Sequence, residues 1–205
     1  MTNSVDDNFD YADYVANQTV VHGQVLKPSA YHKAERKAID YLFRDIPLDK
    51  TILDVGCGIG QAMAYLKDKG YEHVHGLDLN AEKIFVAHCF GMNARAGDVA
   101  QWQFRTRFEV IYCSHTFEHM FEPHRALWNL KEHARDGADF FFILPYPDAG
   151  DPTAHLASFD LGTRNEDGGA AVVRYFESRG LTLIEKKMDD FREPEIWLHF
   201  RYTKT

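Results

Sequence analysis

Apolar positions in this chain switch repeatedly between helical and strand spacing. From Ser29 to Arg44, SAYHKAERKAIDYLFR sets Ala30, Ala34, Ala38, Ile39, Leu42 and Phe43 on one stripe with charges opposite. That stripe predicts a helix, with Ser29 after Pro28 as its cap. Beyond Pro47, strand-length apolar runs alternate with helical segments: strand Thr51–Val55, helix Gly60–Lys69, strand Val74–Leu77, helix Ala81–Phe90. The alternation continues with strand Val110–Ser114, a helix around Pro123–Ala134, strand Phe140–Leu144 and a helix around Ala170–Arg179. Leu181–Lys187 and Ile196–Tyr202, joined by the short connection Asp189–Glu195, predict an antiparallel hairpin at the edge. Such alternation argues for an open, mainly parallel α/β sheet. Gly, Asp and Pro crowd the segment from Pro145 to Gly169, a long connection of the kind that usually carries function.

Composition narrows the class. The chain has 205 residues, 45% hydrophobic and 26% charged, which fits one soluble domain and excludes disordered, collagen-like and disulfide-scaffold readings. The expected layout is one domain over 1–205, with 1–28 as an N-terminal arm or lid and 29–205 as the core. No run approaches the roughly 18 apolar residues of a membrane span. The first residues carry Asp6, Asp7, Asp10 and Asp13 and no Lys or Arg before Lys27, the reverse of a targeting leader, so a cytoplasmic location is expected. Cys57, Cys89 and Cys113 lack paired spacing and are expected as buried thiols. A net charge of −8 gives no general attraction to nucleic acid, although Arg105, Arg107, Lys186 and Lys187 offer material for a local basic face.

The most informative segment is ILDVGCGIGQAMAYL, Ile52–Leu66, where a buried strand runs into Gly56, Gly58 and Gly60 and then a helix. Glycines there permit a sharp turn and close approach of a ligand to the backbone. Asp78 ends the next strand in HVHGLDLN, where a carboxylate can accept both hydroxyl hydrogens of a ribose. Gln61 stands where the dinucleotide fingerprint needs glycine, and no Gly-Lys-Ser/Thr follows, so NAD, FAD and P-loop ligands are disfavoured against a nucleoside without a phosphate to cradle.

DVGCGIG, the acidic Asp78, AGDVAQW with Asp98, and FEVIYCSHTFEHMFEP together resemble the class I S-adenosylmethionine-dependent methyltransferases, most closely the type 11 small-molecule branch, over roughly residues 30 to 202. The resemblance implies a Rossmann-like seven-stranded sheet with helices on both faces, and S-adenosylmethionine as cofactor with S-adenosylhomocysteine as product. It implies that Asp54, Gly56, Cys57, Gly58 and Gly60 face the amino-acid part of the cofactor, that Asp78 binds its ribose, and that Asp98 with the backbone of Val99 takes the adenine while Leu79 packs on the base. Ser114 and His115 complete the cofactor wall. Independently of the family, Asp98 precedes Trp102 and gives a polar tip beside an apolar wall, although Gly97-Asp98 is also the spelling of a simple turn.

Methyl transfer chiefly requires alignment of the acceptor and, where necessary, removal of its proton. SHTFEHM, Ser114–Met120, leaves the fourth strand, the third being a short one before Asp98, where an open α/β sheet presents its site. A helical turn there would set His115, Glu118 and His119 on one face. With His155 in the long connection, these three are the candidate metal ligands, and His115, His119 and His155 the candidate catalytic bases or substrate contacts. The set resembles the Glu-x-x-Glu-His plus distal His that holds a divalent ion in some RNA 2′-O-methyltransferases, with His115 in place of a Glu and hence a preference for Zn²⁺ or Fe²⁺ over Mg²⁺. Type 11 enzymes with His-x-x-Glu-His also work without metal, so an ion is allowed and not expected. The same spelling matches an inverted zinc-protease motif, which needs a long helix that a strand exit does not offer.

Tyr146, in LeuProTyrPro, is either an acceptor-pocket residue or a turn residue. LeuProTyrPro superficially resembles the Asp/Asn-Pro-Pro-Tyr of amino-methylating DNA enzymes, but that motif belongs after the fourth strand, where this chain has Cys113-Ser114-His115-Thr116, which disfavours methylation of DNA bases. Tyr11, Tyr14, Tyr31 and His32 are candidates to close over the cofactor. The sequence therefore predicts methyl transfer to an oxygen or nitrogen of a small-molecule acceptor by a monomer or homodimer without membrane or nucleic-acid partners. A metal-assisted RNA 2′-O-methyltransferase and a non-catalytic S-adenosylmethionine-binding regulatory protein remain open as alternatives.

Overall fold

The computed structural model describes Tyr11 and residues 29–204. Among the elements predicted for the arm, Tyr14, the side chain of Tyr31 and the rest of 1–28 lie outside the described residues. Helix α1 (Ser29–Leu42) leads into β1 (Ile52–Val55), α2 (Gln61–Asp68), β2 (Val74–Asp78), α3 (Ala81–Cys89) and the short β3 (Ala94–Ala96). Then come β4 (Phe108–Ser114), a 3₁₀ turn (Phe117–His119), α4 (Pro123–Glu132), β5 (Ala134–Pro145), the short α5 (Ser158–Leu161), α6 (Ala170–Glu177), β6 (Leu181–Asp189) and β7 (Glu195–Tyr202).

The seven strands form one sheet in the order β3-β2-β1-β4-β5-β7-β6. β1 pairs in parallel with both β2 and β4, and β4 with β5. β7 enters antiparallel between β5 and β6, so the terminal hairpin is as predicted.

Period-two alternation divides the core between the sheet's faces. Leu53 and Val55, Ile111 and Cys113, Phe140 and Phe142, and Leu198 and Phe200 meet Leu127 and Leu130 of α4 and Val172 and Phe176 of α6. Ile52, Val110 and Tyr112, Phe141 and Ile143, and Trp197 meet the other layer, with Ala38, Ile39 and Leu42 of α1, Met63 and Leu66 of α2, and Ile84 and Ala87 of α3. The α1 stripe of Ala34, Ala38, Ile39, Leu42 and Phe43 is buried as its spacing required. Charge fixes α1 to the hairpin: Lys37 Nζ lies 2.6 Å from Asp189, Arg44 bonds Glu185 at 2.8 Å, and Tyr41 also bonds Glu185.

One expectation changes, and two readings left open by the sequence narrow. Cys57 and Cys113 are buried but Cys89, at the end of α3, is exposed, because the last turn of α3 emerges past the face that Ile84 and Ala87 bury. The basic residues do not act as one free face: Arg107 bonds the Glu132 and Ala134 carbonyls, Lys186 the Gly168 carbonyl, and Lys187 stacks over Trp197 and Tyr41. Tyr146 is buried and acts as a staple rather than a pocket wall, its hydroxyl donating to Asp167 and accepting from the Asp167 and Gly169 N–H groups. Among the described residues no helix is long and apolar enough to cross a membrane.

Phe176 is fully buried, stacked 4.2 Å from the Phe142 ring centroid and against Phe117 and Phe200. Removing a ring from such a site forfeits transfer energy and leaves a cavity. Phe176→Ala is expected to destabilise the protein by about 3–5 kcal/mol, read from urea unfolding followed by circular dichroism. A loss under about 1 kcal/mol, the range of surface substitutions and well-tolerated swaps, would show that α6 is not held on the sheet by this stack.

Candidate active site

Strand order reverses between β1 and β4, since the chain steps outward from β1 through β2 to β3 and then returns to β4 on the other side. Open α/β sheets bind ligands at the carboxyl ends of strands flanking such a reversal.

On the β1 side, the chain turns through Gly56 at φ +76°, with the Gly56 and Cys57 N–H groups donating to the Leu77 carbonyl. A Cβ at Gly56 would come within 2.0 Å of Thr116 Oγ1, so glycine is required for the turn after β1 to lie against the turn after β4. At Gly58 the reason differs: a Cβ there would meet nothing within 4 Å, so the backbone borders open space on the ligand side. The Asp78 carboxylate is pinned by the Gly58 N–H at 2.9 Å and the Asn80 N–H at 2.8 Å. Each oxygen retains lone-pair capacity for a further donor. Asn80 also caps α3 through the Glu82 and Lys83 N–H groups, and Leu79 beside it is half-buried.

Asp54 is buried, and its Oδ2 has no hydrogen-bond partner among the described residues. Burial first, then the charges of Glu35 and Asp78, push its carboxyl well above the usual range. Cys57 is likewise pushed up by burial, which makes it an inert thiol.

Beyond β3, Asp98 accepts the Ala100 N–H at 2.8 Å, and its other oxygen accepts the Tyr11 hydroxyl at 2.9 Å. Burial and then Asp98 raise the Tyr11 hydroxyl to about 12. Tyr11 therefore reaches the far end of the predicted cofactor groove, while Trp102 packs directly on Gly97. Val99 is buried and its carbonyl accepts from Asn129.

On the β4 side, Ser114 is half-buried and His115 has φ +46°, a left-handed conformation costly for a non-glycine residue. His115 Nε2–H donates to Glu195 Oε2 at 2.8 Å, and Glu195 Oε1 accepts the Trp197 indole N–H at 2.7 Å. Nδ1 lies 3.7 Å from Glu118 and 3.9 Å from Glu193. Burial alone would depress the imidazolium; Glu118 and Glu195 overturn that and raise it. Glu118 is 1% exposed, its Oε1 is 3.7 Å from His119 Nε2, and its Oε2 has no hydrogen-bond partner among the described residues. His119 Nδ1–H donates to the Ala154 carbonyl at 2.7 Å, and burial holds His119 below its ordinary value. His155 Nδ1–H donates to the buried Asp148 at 2.8 Å, and its ring stands edge-on to His119 at 4.7 Å.

The four sequence-predicted metal ligands are thus neighbours but not one donor set. Among the described residues, the group whose donor atoms lie within 4.8 Å of one another is His115, Glu193 and Glu195. The Ala154 carbonyl and Asp148 each claim a nitrogen of His119 and His155 and set their rings. Sequence reasoning missed Asp148, Glu193 and Glu195. The last two carried a signal, since residues two apart at a strand entrance share a face.

A family model described as a methyltransferase domain matches residues 29–186. A ubiquinone biosynthesis O-methyltransferase from Pseudoalteromonas translucida is 35% identical over 105 residues, 46% of this chain and 43% of the relative. A second from Hahella chejuensis is 28% identical over 102 residues, 45% of this chain and 42% of the relative. The matches span less than half the length of these curated relatives. Among solved structures, magnesium protoporphyrin IX methyltransferase from Synechocystis with bound S-adenosylmethionine is 14% identical and covers 99% of this chain and 100% of its own, at a TM-score of 0.68. An N-methyltransferase from Bradyrhizobium japonicum in complex with S-adenosylhomocysteine is 12% identical, covers 92% and 99%, and gives 0.66. With this sheet order and a matching domain over most of its length, the chain belongs to the methyltransferase-domain family, the class I S-adenosylmethionine-dependent methyltransferases.

Proposed function

We propose that this protein binds S-adenosylmethionine across the carboxyl ends of β1, β2 and β3 and methylates an oxygen or nitrogen of a small-molecule acceptor lodged beyond β4 and β5. The observation that carries this reading is the cradle at Gly58 and Asp78: open space where a side chain would stand, beside a carboxylate fixed by two backbone N–H groups. Two adjacent ribose hydroxyls suit such a carboxylate. The unpartnered Asp54 oxygen fits the cofactor's ammonium group, which would reverse the upward push that burial imposes. Asp98 suits an exocyclic amine, with Trp102 and Leu79 nearby as apolar wall.

When bound, S-adenosylmethionine supplies a methyl group on a sulfonium, an electrophile whose departure leaves a neutral thioether. The chain's task is then to align the acceptor and take its proton. His155 is arranged for the second task. Its Nδ1–H is committed to Asp148, whose carboxylate is buried, so the tautomer is set and Nε2 is the basic atom. His155 Nε2 would take the proton that a hydroxyl acceptor gives up, or that a neutral amine nitrogen carries once it has been methylated. His119, held low by burial and fixed by the Ala154 carbonyl, lines the path as a neutral contact. Glu118, Glu193, Glu195 and Asp148 border the acceptor side and would repel a phosphate backbone, which favours a neutral or cationic small molecule over RNA. The names of the relatives, which include both O- and N-methylating enzymes, support either acceptor atom.

Two outcomes are expected. Titration calorimetry of S-adenosylmethionine into Asp78→Ala will show at least a tenfold loss of affinity, with the far-ultraviolet circular dichroism spectrum unchanged; retained affinity would remove the cofactor from this cradle.

His155 is depressed by burial but raised overall by the hydrogen bond and charge of Asp148. Its folded value stands above the unfolded value of about 6.5, so the pair stabilises the fold fully below that pH and less as pH climbs through the folded value. The stability gap between wild type and Asp148→Asn is therefore expected to be largest in mildly acidic solution and to shrink toward alkaline pH. Imidazole chemical shifts should show the His155 titration moving to lower pH in the variant. An unshifted titration would break the pairing, and with it the assignment of His155 as base.

A further inference from the structure

The Asp98 carboxylate already serves a donor from a distant part of the chain. Oδ1 closes its own turn by accepting the Ala100 N–H at 2.8 Å, and the Asp98 carbonyl accepts the Gln101 and Trp102 N–H groups. Oδ2 accepts the Tyr11 hydroxyl at 2.9 Å, from 87 positions away, and the Gln101 side-chain amide more weakly at 3.4 Å. A carboxylate oxygen has two lone pairs to offer, and on Oδ2 both are engaged.

Tyr11 is held on a second side. Its ring lies edge-on to Phe121 at 6.3 Å between centroids, and Phe121 follows the 3₁₀ turn after β4. In the sheet, β3 and β4 flank β2 and β1, whose carboxyl ends carry Asp78, Gly56 and Gly58. Tyr11 thus reaches from the exit of β3 to the exit of β4 across the proposed cofactor groove. At 38% exposure it is not locked into the core.

We propose that Tyr11 and the exocyclic amine of the cofactor's adenine compete for Asp98 Oδ2, so that S-adenosylmethionine binds only as the Tyr11 hydroxyl leaves. This rests on the proposed cofactor reading and goes beyond it, giving Tyr11 a role opposite to that of a lid that grips the ligand. Both groups are hydrogen-bond donors, and two donors satisfy nothing in each other. Burial first, then Asp98 and Glu122, raise the Tyr11 hydroxyl to about 12, so it keeps its proton throughout the neutral range. Tyr11 is the donor that yields, because Ala100 and Gln101 belong to the turn that Asp98 itself caps. The consequence is a lowered apparent affinity, reduced by the fraction of molecules in which the oxygen is available.

The test is calorimetric titration of S-adenosylhomocysteine into wild type, Tyr11→Phe, Asp98→Ala and Tyr11→Phe/Asp98→Ala, each checked for folding by circular dichroism. Tyr11→Phe keeps the ring beside Phe121 and removes only the competing hydroxyl. It is expected to bind at least about threefold more tightly than wild type, as loss of one opposing hydrogen bond allows. Asp98→Ala is expected to bind about tenfold more weakly, having lost a charge-assisted bond to the amine. In that background Tyr11→Phe should change nothing, since the hydroxyl has lost the oxygen it contests. Unchanged or weaker binding by Tyr11→Phe, alongside weakened Asp98→Ala, overturns the competition and makes Tyr11 a gripping lid. An equal gain with and without Asp98 overturns it too, because the hydroxyl then acts elsewhere. Wild-type affinity in Asp98→Ala removes adenine from Asp98 and the competition with it, while leaving the Asp78 cradle standing. No binding by the folded wild type ends the cofactor reading itself, so the two failures are told apart.

Discussion

The close approach of Gly56 to Thr116 is the constraint on which the site depends. It locks the turn leaving β1 against the turn leaving β4, with no room for even a methyl group between them. Thr116 in turn bonds the Ser114 carbonyl at 3.0 Å, so the second turn is tied to its own strand. One contact thus sets the distance between the glycine cradle and the His-x-x-Glu-His segment. In-line methyl transfer is sensitive to this separation, since misplacement by about 1 Å can cost a hundredfold in rate. The parallel pairing of β1 with β4 below supplies the rigid base, and both strands are buried on both faces.

Much of the fold was legible because period carries it. The unbroken apolar run Phe140–Leu144 marks a strand buried on both faces, and the α1 stripe identifies its helix and buried face from spacing alone. β5 nonetheless begins at Ala134, well before Phe140, because Arg135, Asp136 and Gly137 give no apolar signal where the strand passes the end of α4. The cofactor cradle was readable for a related reason, since glycine at a required positive φ leaves a mark in sequence. The acceptor side was half readable. His115, His119 and His155 stand out as residue types, but the hydrogen-bond partners of the first two come from 35 or more positions away, Glu195 for His115 and Ala154 for His119. Asp148 lies only seven residues from His155, yet nothing in PYPDAGDPTAH distinguishes it from Asp151, which instead turns its carboxylate to Thr153.

Three imidazoles gathered around Glu118 are not equivalent, and their outer partners explain why. His115 donates to a buried carboxylate and faces two more, so its charged form is favoured. His155 has a single hydrogen-bonded carboxylate, Asp148, behind it, and that partner raises it against the pull of partial burial. His119 donates to a neutral carbonyl, and burial then dominates, keeping it uncharged. A charged imidazole, one paired with a single carboxylate and an uncharged one are thus separated without any change of residue type. They follow from which backbone or side-chain oxygen the fold presents to each ring. Exchanging those partners would redistribute the charge states, and this is a stronger statement about the cluster than the presence of three histidines in it.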